Sequence, residues 1–367
     1  MMKGKKTMIL IMVIFSIIMI YVNLRGQKIE VKTEGRITVV YNPQNPVESL
    51  DSSIDMILKQ NLIIGTDEKN TDYYFEAISD IKSDGNGNIY IVDEQAHCIN
   101  VFNKNGNYIK NIGRKGRGPG EFIAPTEMAI LEGKIIVYSL GRISYFDLEG
   151  HFITMKKAMF GRIVCFDSKG NIIAQQPSHP GKDMKLFLRK FNLESQILYT
   201  VASLAMEGPK SPEEKREAFP ETILYTIRKD DSIVWANRNK YELNLVDDRG
   251  HIFLKIKKKF NPVPLTEEHK KTFLAYVDGT EDQYNFPKYL PPIRYVFADD
   301  KNRIFVNTYK KERDDKYIYD IFDSKGRYVE KIAIKGLPMF CRNGYLYCRA
   351  EDKNNFHQVI RYLTEIE

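Results

Sequence analysis

The sequence predicts an all-β protein of six repeated four-stranded units, and three observations carry that expectation. A turn signal ahead of a strand-like run recurs six times, a second turn signal follows in most units, and 367 residues suffice for six such units plus three long excursions. The first signals are Asn86-Gly87, Glu132-Gly133, Lys169-Gly170, Asp230-Asp231, Lys301-Asn302 and Asn343-Gly344, each before a run such as Ile89-Tyr90-Ile91-Val92. The second are Phe102-Asn103-Lys104-Asn105-Gly106 and its counterparts at 146–150, 246–250 and 322–326; the copy at 191–195 ends in Ser195 and lacks the glycine. β-type runs around a two-residue Asn, Asp or Gly turn read as hairpins. Two hairpins per unit give four strands. Four-stranded units repeated about an axis make a β-propeller, where radial repetition leaves only short, protected sheet edges. The expected architecture is a six-bladed β-propeller of four-stranded antiparallel blades.

Along the chain, residues 1–26 stand apart from these units. Lys3, Lys5 and Lys6 precede an apolar run from Met8 to Val22, the pattern of a signal-anchor or a secretory signal peptide. One N-terminal hydrophobic helix is expected there, with its lysines cytoplasmic and everything after Arg25 outside. No small-x-small cleavage pattern and no lipid-acceptor cysteine follows, which favours an uncleaved anchor in the inner membrane, with a cleaved signal peptide as the alternative. Residues 27–35 read as a linker and 36–367 as the propeller. Six blades of ~43 residues use ~260 of the remainder, and the stretches 42–73, 205–221 and 261–292 absorb the rest. The last unit has no fourth strand after 356–365, while 36–41 is a spare strand. Pairing the two would close the propeller with the N-terminal strand and satisfy both edges.

Composition narrows the function classes. The leader holds Lys3, Lys5, Lys6 and Arg25 and no acid, so 51 of the 55 basic residues remain against 48 acidic ones. That is a mixed surface, without the gathered basic excess of a nucleic-acid footprint. The run Lys257-Lys258-Lys259 reads as a solvated strand end. Cys98, Cys165, Cys341 and Cys348 form no CxxC pair; the turn at Asn343-Gly344 sets Cys341 opposite Leu346 rather than Cys348. Buried thiols are expected.

A resemblance becomes visible in the first unit. Asp93-Glu94-Gln95-Ala96-His97-Cys98-Ile99-Asn100-Val101-Phe102 resembles the NHL-repeat pattern D-x-x-N-H-R-I-x-V-F, departing from it at Ala96 and Cys98. Gly113-Arg114-Lys115-Gly116-Arg117-Gly118-Pro119-Gly120-Glu121-Phe122, then Pro125, resembles the inter-blade link of the same repeats. The likeness is closest over 74–125, fainter over 126–200 and weak beyond. The chain as a whole resembles exported six-bladed propellers of bacteria. That resemblance implies the fold and says little of function.

Chemical motifs are sparse. Gly116-x-Gly118-x-Gly120 opens no helix and reads as a structural turn, not a phosphate cradle. The six histidines show no zinc spacing. His97 reads as an inter-strand hydrogen-bonding group. No GxSxG, Cys/His constellation or EF-hand loop appears, and Asp84-Gly85-Asn86-Gly87 is a hairpin turn. No cofactor and no metal ligand is nominated.

Loop lengths are informative. Long segments fall between strands two and three (176–183, 309–316, 350–355) or between blades (114–125, 205–221, 261–292), and in an up-and-down blade both connections emerge on one face. The 261–292 insert is expected to hold a short helix capped by Thr266, with Glu267 and Glu268 in its first turn; it either covers the central opening or packs between two blades. The first polar residues of the inner strands should ring the channel mouth. They are Glu76, Glu127, Arg162, Tyr225 and Arg294, joined by Lys288 from the insert. Mixed acids and arginines suit a polar or anionic ligand held by charge-assisted hydrogen bonds. The expected function is an extracytoplasmic, membrane-tethered binding module for a protein, peptide or glycan. The alternative is a calcium-dependent hydrolase or lyase resembling gluconolactonase-like or strictosidine-synthase-like propellers, with Glu76 and Glu127 as ligands, which Arg162 and Arg294 would oppose.

Overall fold

Six antiparallel meanders follow one another in the computed structural model, which describes residues 28–47, 56–65, 71–158, 160, 164–178, 184–206, 214–312 and 316–366. The expected leader helix and Arg162 lie outside the described residues. Blade 1 comprises Ile78–Ser83, Ile89–Asp93, Cys98–Phe102 and Tyr108–Ile112; blade 2, Pro125–Leu131, Lys134–Ser139, Arg142–Asp147 and Phe152–Lys157. Blade 3 comprises Val164–Phe166, Ile172–Pro177, Lys185–Phe191 and Ile197–Ala205; blade 4, Ile223–Ile227, Ile233–Asn237, Glu242–Val246 and Ile252–Lys258. Blade 5 comprises Tyr295–Ala298, Ile304–Lys311, Lys316–Phe322 and Tyr328–Lys335, and blade 6 begins with Leu337–Arg342, Tyr345–Glu351 and His357–Ile366. The first strands neighbour one another in sequence and return from blade 6 to blade 1, which closes a ring around a central channel. Between each pair of adjacent blades lies one hydrophobic cluster, for example Tyr90, Val101, Met128 and Phe146 between blades 1 and 2.

The N-terminal segment departs from expectation. It forms β1 (Glu30–Glu34), β2 (Ile37–Asn42) and β3 (Met56–Ile64). β1 occupies the supposed linker and pairs with β2, which lies parallel on the outer strand of blade 4. The ring is closed instead by β3, which pairs antiparallel with His357–Ile366 as the fourth strand of blade 6. The expected closing strand is therefore the wrong one of two, for a packing reason. β2 buries Val39 and Val40 against blade 4 and sends the Asn42 side chain to the Gly326 carbonyl (3.0 Å) and the Tyr328 amide (2.7 Å), tying blade 4 to blade 5.

The turns also differ. Only two of the first hairpins have two-residue turns, Glu132-Gly133 and Asn343-Gly344, with both residues at positive φ. In blades 1, 3 and 5 five residues intervene, and the leading Asp makes the turn. The Asp84 carboxylate accepts from the amides of Asn86 and Asn88, both at 2.9 Å, and Asp167 and Asp299 repeat the pattern. Asn103, Asn192, Asp247, Asp323 and, in blade 6, Asp352 do the same. These are Asx-type turns, in which a short polar side chain satisfies amides that the ladder cannot. The 350–355 stretch is thus a tight turn rather than a long loop. In blade 4 Arg228 stands where the Asp would and pairs with Asp230 at 2.6 Å.

Turns on this face also clasp neighbouring blades. Ser168 donates to Asp231 from its hydroxyl and its amide, the Asp230 amide donates to Asn302, the Gly344 amide to Asp300, and Arg342 to the Ser83 carbonyl. The long excursions emerge on the opposite face. The insert contains α1 (Glu267–Val277), capped by Thr266 and His269 as a capping box, with Glu267 and Glu268 in its first turn. Its stem folds back on itself through Leu265 to Lys288 and Leu290 to Val263. Phe273 of α1 packs on Phe219, Tyr284 and Phe286, and Phe219 meets Tyr309 edge-on, so the insert leans on the 214–219 segment and blade 5.

Candidate functional site

The channel is lined by side chains that alternate away from the inter-blade clusters. Blade 1 supplies Asp80 and Lys82 two residues apart, which places them on one side of its first strand. Asp80 is 2% exposed and holds two blades together: its carboxylate accepts from the Ile81 amide (2.8 Å) and from the Met128 amide of blade 2 (2.8 Å), while the Lys82 ammonium pairs with it. Glu127, one residue before Met128, hydrogen-bonds Asp80. Burial, and then the Asp80 charge, push the Glu127 carboxyl well above the usual carboxylate range, and Lys82 opposes them incompletely. Glu127 therefore holds its proton more tightly than a free carboxyl does, and its hydrogen bond runs to Asp80.

The other blades complete this lining. Cys165, Tyr225 and Tyr295 all feel the Glu127 charge, and burial raises each of their pKa values far enough to keep thiol and phenols protonated. The Tyr295 hydroxyl donates to the Pro338 carbonyl at 3.1 Å, and Tyr225 reaches the Ile173 carbonyl at 3.5 Å. Arg349 of blade 6 donates to the Ile78 carbonyl at 2.8 Å. On the mouth side Arg294 is exposed and stacks its guanidinium 4.2 Å from the Tyr317 ring centre; its charge reaches Tyr309 and Tyr319. Beside it, Asn307 is 1% exposed, and among the described residues neither atom of its amide has a partner.

The predicted residues thus separate into groups. Glu127 and Tyr225 share the channel. Arg294 stands at the rim among tyrosines. Glu76 is exposed ahead of blade 1, where its amide donates to Asp93 at 2.8 Å. Lys288 sits on the insert stem with its ammonium over the Tyr289 ring at 5.3 Å. Asp80, Lys82, Cys165 and Tyr295 were not anticipated. The signal for Asp80 and Lys82 was their i, i+2 spacing inside an inner strand, where the polar face looks into the channel.

Two other expectations have structural answers. The glycine-rich link is occupied by its own chain: the Glu121 carboxylate accepts from the Gly118 amide at 2.8 Å and pairs with Arg114 at 3.1 Å. A Cβ on Gly116 would stand 2.0 Å from that carboxylate, so the loop is built around Glu121 and has no room for a phosphate. His97 joins blades rather than strands, since its Nδ1 accepts from the Ala124 amide at 3.1 Å. Cys341 does pair with Leu346 in register, and all four cysteines are free.

A calcium site at the mouth fits poorly. Among the described residues no group of three or more His, Cys, Asp or Glu converges. Both Asp80 oxygens are committed to amides and to Lys82, and Glu76 is exposed ahead of blade 1. Among the described residues no helix is long and apolar enough to cross a membrane.

Comparison with known proteins supports the architecture. Residues 50–180 match the DUF5128 family, described as a 6-bladed beta-propeller. No curated protein matches. A solved protein of Bacteroides fragilis described as exported is similar over 90% of this chain and 99% of its own, at 13% identity and a TM-score of 0.55. A member of the DUF4221 family from Bacteroides vulgatus is similar over 85% of this chain and 98% of its own, at 14% identity and a TM-score of 0.50. Likeness at this level establishes the six-bladed fold and leaves the activity open.

Proposed function

We propose that this propeller is an extracytoplasmic binding module that takes a polar or anionic group of a protein, peptide or glycan at its looped face. The observation that supports this most is the donor-rich channel mouth. Arg294 is exposed on a tyrosine shelf, the Asn307 amide beside it is buried with no partner among the described residues, and below lies the Lys82 ammonium, paired with Asp80 and with N–H groups to spare. Such a set favours a ligand that brings acceptor oxygens. The basic leader before an apolar run and the likeness to an exported propeller support export; tethering through residues 8–22 follows from the leader alone.

The test is a screen of residues 28–367 against peptide and glycan arrays, followed by titration calorimetry of hits. Arg294→Ala should weaken a genuine hit by about 1.5–3 kcal/mol, the value of a charged hydrogen bond. Hits that bind the variant as well as the parent would refute the site. A hydrolase or lyase is the second reading, supported by the Asp80–Glu127 pair, two carboxyls whose environments separate acid from base. It would not use calcium as read above. A calcium-dependent rise in melting temperature would overturn that part.

A further inference from the structure

A second pocket lies away from the channel, where blades 4 and 5 meet beneath the insert stem. Its enclosed part measures about 40 Å³, room for roughly three waters at ~10–15 Å³ each. The floor is Asp320, 4% exposed, which accepts from the hydroxyls of Tyr241 and Tyr328, both at 2.5 Å. The Lys258 ammonium stands 3.3 Å from the same carboxylate with its side chain 5% exposed, over the rings of Tyr328 (4.6 Å) and Tyr241 (5.1 Å). So the run Lys257-Lys258-Lys259, expected as a solvated strand end, sends its middle residue inward. One buried ion pair with two phenols is a satisfied structural unit.

That unit does not account for the rest of the pocket. Lys310 and Lys331 line it as well, and among the described residues neither has an acidic partner. Their charges add to burial in holding the Lys258 amine below its ordinary pKa. Among the described residues three ammonium groups thus face one hollow that contains one carboxylate, which leaves two positive charges unbalanced there. Lys258 spends one N–H on Asp320 and one on the Lys259 carbonyl at 3.3 Å, which leaves a third. The outer wall is apolar, made by Phe260, Pro291 and Pro292.

We propose that this pocket binds a compact oxyanion, the carboxylate, sulfate or phosphate of a small ligand. Lys310, Lys331 and the spare N–H of Lys258 are its donors, and Phe260 and the prolines contact its apolar part. The enclosed volume has room for one such group. The inference is independent of the channel and stands or falls separately.

The test is calorimetry of residues 28–367 with sodium phosphate, sulfate and acetate, each against sodium chloride at matched ionic strength. At least one oxyanion should bind saturably, and the ranking among the three identifies the headgroup. The Lys310→Gln/Lys331→Gln variant should lose about tenfold or more in affinity. Both residues are exposed, so the fold should persist, which its melting curve checks. Lys301→Gln/Lys325→Gln, which removes the same charge from the short-turn face, should bind as the parent does. No saturable binding by any of the three anions, equal binding by the pocket variant, or equal loss in the control would each overturn the proposal.

Discussion

Glu127→Gln isolates one proton in the channel. In the folded protein the Glu127 pKa is raised, first by burial and then by Asp80, while in the unfolded chain it returns to about 4.3. A raised pKa means that Glu127 stabilises the fold fully below that unfolded value and loses its contribution as pH climbs toward the folded one. Within that window the folded protein carries one proton more than the unfolded chain, so stability falls by about 1.4 kcal/mol per pH unit from this group alone. A melting entropy of about 2.1 cal/mol/K per residue over about 300 residues is roughly 0.6 kcal/mol/K, so the slope is ~2 °C of melting temperature per pH unit. Glutamine keeps the shape and a donor toward Asp80 but cannot ionise.

The assay is calorimetric melting of both proteins from pH 5 to pH 9, read as the difference between them, which cancels every other titrating group. The variant should sit close to the parent or below it at pH 5 and gain on it as pH rises, the difference levelling off once pH passes the folded-state pKa of Glu127. Asp80→Asn, which removes the second cause of the shift, should narrow the window in which the slope is seen. A difference that stays constant across the range would refute the shared proton, because a purely steric role for Glu127 has no pH dependence.

Gly326 has φ 81° and a Cβ there would lie 2.7 Å from Ile256 of blade 4, so Gly326→Ala should cost about 2–4 kcal/mol from strain plus overpacking. Gly133→Ala, with φ 72° and open space around it, should cost about 1–2 kcal/mol by strain alone; equal losses in denaturant titrations would dismiss the close approach. Deleting 28–42 removes the burial of Val39 and Val40, ~1.5–3 kcal/mol each, offset by the chain entropy released, and a single cooperative melt should survive because β3 closes the ring. A broad or biphasic melt would return closure to β2. Thiol titration should find Cys98 and Cys348 reactive only after unfolding, since both are buried and the Cys98 thiol is pushed up to about 11, while Cys165 and Cys341 are half-buried; fast labelling of more than two thiols in the native protein at pH 8 would contradict the packing.

What was legible in the sequence was whatever backbone geometry demands of a residue type. The glycines of the second turns are visible because the position needs positive φ and also approaches the outer strand of the preceding blade. A Cβ on Gly106 would meet Leu62, on Gly150 Ile112, and on Gly250 Tyr199, each within 3 Å. Ser195 fills the same turn at φ 63° in blade 3, which explains the weaker copy there. The closing strand was not legible. β3 reads Met-Ile-Leu-Lys-Gln-Asn-Leu-Ile-Ile, with no turn marker and no clean alternation, and its partner lies at the far end of the chain. β2, with two adjacent buried valines, resembled a closing strand more closely because both of its faces are covered. Asp80 and Lys82 were hidden for a related reason. Polar residues that face a channel alternate with apolar ones as solvent-facing residues do, so the pattern gives the strand and conceals the site.

The two faces divide the labour of the molecule. On one, turns of five residues or fewer are fastened from blade to blade by Ser168, Asp230, Asp300 and Arg342, which fixes the inner strands that carry the channel side chains. On the other, the excursions gather on one side: Arg216–Glu217 pairs in parallel with Tyr284–Asn285, and Phe219 packs on both Phe273 and Tyr309. Blade 2, by contrast, turns between its second and third strands at Leu140-Gly141 alone. Arg294 and its tyrosines belong to blade 5, beside these excursions, and Asp80, Lys82 and Glu127 belong to blades 1 and 2. On the proposed binding reading, a ligand at the channel mouth would meet both groups.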